Sequence, residues 1–150
     1  MRTKLIFLTI ALLLPLAVWS QDRTHSQPIF DGKIVPKDRA YETFVSGDAN
    51  NENHITLFHS IRFTADRSEF KRITDLIMED ANDAISKEME IAQGNLTYAL
   101  LVLPSSGTLN RFLGFQAKPS GQDGECSAIV VYIEGFTTIN NLKKNYFTGK

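Results

Sequence analysis

The residues that could do chemistry are few and scattered. His54 and His59 lie five apart in a stretch that alternates like a β-strand, so their side chains leave opposite faces and cannot by themselves make a compact metal pair. His59 falls on the more apolar face, where a histidine is ordinarily a packed core or interface residue. His25 has no partner near it in sequence. Asp48, Asn50 and Glu52 take the first, third and fifth positions of a calcium loop, but Asn53 stands where that loop needs glycine and His59 where it needs a bidentate glutamate. A solvated turn accounts for them, and Asp123-Gly124-Glu125 is another turn. Cys126 has no adjacent His and an acidic neighbour, Glu125, so it reads as an inert thiol. Ser105 and Ser106 follow an apolar run as a nucleophile would, but lack the G-x-S-x-G frame and a helix immediately after. Asn95-Leu96-Thr97 is a glycosylation acceptor pattern that occurs often by chance.

Glu88 carries the sharpest catalytic hypothesis. If residues 66–93 form one helix, Glu88 lies near the middle of its apolar stripe, below Phe70, Ile77 and Ala81. There the carboxylate either reaches water where the helix bends or projects past the sheet, or it lines a pocket with Arg62 or Arg111 as counter-ion.

That stretch, Asp66 to Gln93, dominates the periodicity of the chain. Phe70, Ile73, Ile77, Ala81, Ala84, Ile85, Ile91 and Ala92 recur at helical spacing, with charged residues mostly opposite. Asp66 and Glu69 make a capping pair, and Gly94-Asn95 permits the left-handed residue that often ends a helix. Such a helix would span about 40 Å at 1.5 Å per residue. Around it lie strand-like segments: Tyr41–Ser46, His54–Thr64, Leu96–Leu103, Leu109–Lys118 and Ser127–Glu134. Thr137 or Thr138 can cap a short last helix carrying Ile139, Leu142 and Tyr146. Short links between the last three strands favour antiparallel neighbours. The expected fold is α+β in two layers: one long helix packed on a mainly antiparallel sheet of about four to five strands, with a short C-terminal helix.

The chain has 150 residues, 43% of them hydrophobic and 22% charged, with a formal net charge of −1. That balance points away from nucleic acid and from anionic membranes, and no pattern indicates a cofactor or metal. A single cysteine excludes an intramolecular disulfide. Arg2 and Lys4 precede an apolar run, Leu5 to Leu16, broken at Pro15, with Val18 and Ser20 at the −3 and −1 positions of a cleavage site. Residues 1–20 are therefore expected to be a signal peptide, cleaved after Ser20, leaving no stable membrane anchor. Residues 21–27 read as a flexible terminus and 28–150 as a single α+β domain, periplasmic or secreted.

The leader, the segments IVPKDRAYE (34–42) and LFHSIRFTAD (57–66), the long acidic helix and YIEGFTTINNL (132–142) resemble a family of small exported proteins from gut anaerobic bacteria. The resemblance covers nearly the whole chain after the leader. It implies a bacterial envelope or extracellular location and an α+β fold. That family has no assigned activity, so no catalytic residue carries over.

Two functions of different class follow. The first is an exported, non-catalytic module that binds an unknown ligand, a partner protein or a second copy of itself. The absence of catalytic spacing supports it, as do Phe58 and Phe112, apolar residues on the faces expected to lie away from the helix. Its ligand or interface residues are drawn from Phe58, His59, Arg62, Glu88, Arg111 and Phe112. The alternative is a small enzyme, hydrolase-like or isomerase-like, with a pocket under the long helix using Glu88 and His59.

Overall fold

A computed structural model describes residues 24–47, 54–120 and 124–146. The leader and the acidic turn at 48–53 lie outside the described residues. The elements run α1 (Gln27–Phe30), β1 (Ala40–Ser46), β2 (Ile55–Ala65), α2 (Arg67–Asp83), β3 (Ser86–Ala92), β4 (Asn95–Ser106), β5 (Leu109–Pro119), β6 (Cys126–Gly135) and α3 (Ile139–Tyr146).

The helix α2 begins as its sequence dictates. The Asp66 carboxylate accepts from the Glu69 amide at 2.8 Å, and Glu69 accepts from the Asp66 amide at 3.0 Å. Phe70, Ile73, Ile77 and Ala81 are buried along one side. The helix ends at Asp83, however, and the expectation of one long helix on four or five strands is replaced by a six-stranded antiparallel sheet with a shorter helix across it. Ala84 is already extended, and the Ile85 amide donates to the Val102 carbonyl at 2.8 Å. The next seven residues, SKEMEIA, form β3. In it Met89 is half-buried between exposed Glu88 and Glu90, which is strand alternation. Gln93 and Gly94 have φ of 54° and 79°. Two successive positive φ values make the tight turn of a β-hairpin rather than a helix end.

The sheet order is β1-β2-β6-β5-β4-β3, with every neighbouring pair antiparallel. The helix carries the chain from β2 to the far edge, the hairpin turns of β3–β4–β5 bring it back, and β6 fills the gap beside β2. The main core lies between α2 and one sheet face. It includes Ile61, Phe63, Ile73, Ile77, Leu101, Leu113, Phe115 and Val130, closed at one end by Ile29, Phe30, Ile34 and Val35. The opposite face is not bare. The helix α3, whose first turn is capped by Thr138 Oγ1 accepting from the Asn141 amide at 3.3 Å, seats Leu142 against Phe112, Val131 and Ile133. A partial third layer is the result.

His25 and Ser26 are hydrogen-bonded to α2. The buried Asp80 carboxylate of α2 accepts from the His25 amide at 2.7 Å and the Ser26 amide at 3.0 Å. The two His25 ring nitrogens lie 3.2 Å from Glu79 and 2.8 Å from Asp83.

Candidate functional site

The face away from α2 carries adjoining hollows. Side chains at opposed positions share a face, so Tyr41, Arg62, Ile129 and Gln116 form one row across β1, β2, β6 and β5. Val45, Phe58, Ile133 and Phe112 form the row beside α3. Between the two rows Gly114 carries no side chain, and a hollow of about 330 Å³ opens over it, lined by Phe58, Arg62, Gln116, Ile129 and Val131. A second hollow of about 140 Å³ continues past Arg62 towards Lys118 and Ser127. A third, about 330 Å³, lies between Arg62, Tyr41, Arg39 and Glu125, with Asp66 at its rim. Arg62 lines all three. Asp66 is engaged at the start of α2, and no carboxylate among the described residues pairs with Arg62. The floor is apolar and the cation stands at the junction of the hollows. Such a surface can hold an anionic group joined to an apolar body.

The helix-covered face holds a different polar group. Arg111 is only 6% exposed. Its Nε donates to Tyr132 Oη at 2.8 Å, its Nη1 donates to the Pro104 carbonyl at 3.2 Å, and its guanidinium lies 5.7 Å from the Tyr132 ring centre. Tyr132 in turn donates to Glu134 Oε1 at 2.6 Å. Burial pushes the Tyr132 phenol well above its ordinary range, and the hydrogen bond to Glu134 acts in the same direction. The protonated phenol accepts from Arg111 and donates to Glu134, and Arg111, bonded also to the Pro104 carbonyl, ties β6 and β5 to the end of β4. None of the three hollows is lined by Arg111, Tyr132 or Glu134.

A family model described as a family of unknown function, DUF6108, matches residues 13–146. The chain belongs to that family. No curated protein and no solved structure matches it. The DUF6108 description names no activity, so what this member does has to be read from its own side chains.

Of the residues picked out in the sequence, Phe58 and Arg62 come together at the hollow over Gly114 on the outer face. Phe112 lies on that face too, but α3 covers it and it is 3% exposed. His59 is on the other face. Its Nε2 is 2.5 Å from Glu42 Oε1, and its ring packs on Phe30 at 4.6 Å and edge-on to Phe44 at 5.2 Å. That is an interface histidine between α1 and β1. Glu88 belongs to β3, exposed, and pairs with Lys143 of α3. It opposes Leu100 and so lies on the face away from α2, four strand spacings from β2, about 19 Å. Glu88 and His59 therefore share no pocket, and neither Arg62 nor Arg111 is a counter-ion to Glu88. Among the described residues no three or more His, Cys, Asp or Glu are placed to hold a metal ion.

Two polar groups escaped the sequence reading although signals existed. Asp80 stands seven residues after Ile73 and three after Ile77, which is stripe spacing, and it is 3% exposed. Tyr132 and Glu134 alternate with Val131 and Ile133, so both had to lie on the face of Val130.

The acidic cluster around His25 makes the anchor of the N-terminal segment pH-dependent. The hydrogen bond to Asp83 raises the His25 pKa above its ordinary value; burial opposes this, and the charges of Asp80, Asp83 and Glu79 add to it. A raised folded-state pKa gives stabilisation that is fully present below the unfolded value of about 6.5 and is lost as pH rises through the folded value. The stability gap between the wild type and His25→Gln, measured by urea unfolding, should therefore be largest at acidic pH and shrink towards pH 8.5. A gap that widens with pH would reverse the assignment.

Proposed function

We propose that this protein is an exported, non-catalytic binding module whose ligand site is the sheet face around Arg62. The observation that carries the reading is the convergence of three adjoining hollows on one guanidinium that has no carboxylate partner among the described residues. The ligand is an anion with an apolar portion: the anionic group meets Arg62, with Lys118 nearby, and the apolar part lies over Gly114 between Phe58, Ile129 and Val131. Export is supported by the charge, length and break of residues 1–20.

Decanoate and the neutral decanol are suitable probes. Decanoate should shift the amide resonances of Gly114 and Ile129, decanol should shift them far less, and Arg62→Ala should remove the difference. Equal shifts from both probes, or decanoate shifts that survive Arg62→Ala, would sink the assignment. Expression of the whole gene in a Gram-negative host should give a periplasmic or secreted chain beginning at Gln21; an intact Met1 on cytoplasmic protein would sink the export claim.

A further inference from the structure

The two edges of the sheet are built differently. The edge strand β3 carries Lys87, Glu88 and Glu90 and a register irregularity between Glu90 and Ile91. Charges and bulges of this kind keep an edge from pairing with another chain. The other edge, β1, reads AYETFVS and among the described residues pairs only with β2. Tyr41 is 81% exposed, Phe44 58% and Val45 59%. Its one charge, Glu42, is already met by His59 at 2.5 Å and Lys37 at 3.8 Å. An extended, regular edge with apolar side chains on both faces and no unmatched charge is a template for another strand.

The ladder shows which backbone groups are on offer. The Gly47 amide donates to the Thr56 carbonyl, and the β1–β2 register runs without a shift from Ala40 to Ser46. Hydrogen-bonded pairs alternate in an antiparallel ladder. Val45, Thr43 and Tyr41 therefore point their amides and carbonyls at β2, while Ser46, Phe44, Glu42 and Ala40 point theirs outward. The outward set is self-complementary. About a two-fold axis at Thr43, Glu42 faces Phe44 of a second copy, Ala40 faces Ser46, and all seven residues pair. Thr43 meets its own equivalent as a non-hydrogen-bonded pair, where side chains are closest. Shifting the register to oppose Glu42 with Glu42 would bring like charges together and leave residues unpaired.

We propose that β1 is a homodimerisation edge, joining two copies antiparallel about Thr43 into one continuous sheet. Tyr41 then lies opposite Val45 of the second copy. The outer face runs from Arg62 across Tyr41 onto Val45 and Phe58 of that copy, so each copy extends the floor beside the other's Arg62.

The register makes the test specific. Sedimentation of the purified protein should show a monomer–dimer equilibrium at micromolar concentration. Phe44→Pro removes an outward amide and leaves the β2 ladder intact, since proline is tolerated on the solvent side of an edge strand. It should weaken the dimer by about tenfold or more with an unchanged circular dichroism spectrum. In a Cys126→Ser background, Thr43→Cys should form a covalent dimer on mild oxidation, because the paired Cα atoms are within disulfide reach, whereas Glu90→Cys on the opposite edge should not. A wild type that stays monomeric at 100 µM, as it would if β1 served a foreign strand, overturns the proposal. So does cross-linking through position 90 in preference to position 43.

Discussion

Replacing Arg111 with methionine should destabilise the protein by about 3–5 kcal/mol, the cost of breaking one member out of a buried charged network. The methionine side chain fills similar volume, so the loss is electrostatic and not a cavity. Tyr132 Oη would lose the donor at 2.8 Å, the Pro104 carbonyl the donor at 3.2 Å, and Glu134 the positive charge relayed through the phenol. The control is Arg62→Met on the opposite face. Arg62 is exposed and has no ion-pair partner among the described residues, so its loss should change stability by only about half a kcal/mol. Urea unfolding midpoints of the two variants decide the matter. Similar midpoints would mean that the Arg111 network is solvated and that its burial contributes little.

Asp80→Ala should cost about 2–4 kcal/mol and release the N-terminal segment. Its carboxylate accepts from the His25 and Ser26 amides. Without it the buried Ser26 amide and the partly buried His25 amide lose their acceptor, at roughly 1–3 kcal/mol each before water relieves them. Asp80→Asn should be intermediate, because an amide offers one acceptor oxygen and turns a donor towards the other N–H. The segment held there carries Ile29, Phe30, Ile34 and Val35 into the core. Lys33 is exposed but its backbone is held, its amide donating to the Pro28 carbonyl at 3.0 Å, so release should let trypsin cut after Lys33 in the variant under conditions where the wild type resists. Equal cleavage rates would show that the apolar side chains hold the segment without Asp80.

Which parts of this architecture could be read from the sequence follows from the range of each signal. The strands β1, β2, β4, β5 and β6 and the helix α3 announce themselves through alternation, β-branched runs and turn residues, all of them local. The strand β3 does not. Ala84, Ile85, Ile91 and Ala92 satisfy helical spacing as well as any strand pattern, and they follow a strongly amphipathic helix. Only the partner strand decides between the two readings, and β4 supplies the amide and carbonyl groups that claim the segment. Because that segment is a strand, Glu88 stands on the outer face of a sheet edge and not under a helix. That Arg62 and Phe58 share a face is legible from the alternation of β2; that a hollow lies between them is not. Phe112 shares that face, but α3 closes over it. Asp80 and the Tyr132–Glu134 pair were visible as polar residues in apolar phase; their partners were not, because those lie on distant segments.

The last strand lies in the middle. Between β2 and β5 the only strand is β6, and its register ties Ile61 to Val130 and Ala65 to Cys126. A nascent chain can therefore close the β1–β2 hairpin and the β3–β4–β5 meander early, but the two halves of the sheet stay unjoined until β6 has emerged. Until then β2 and β5 each present a bare ladder. Such late, non-local closure raises contact order and slows folding.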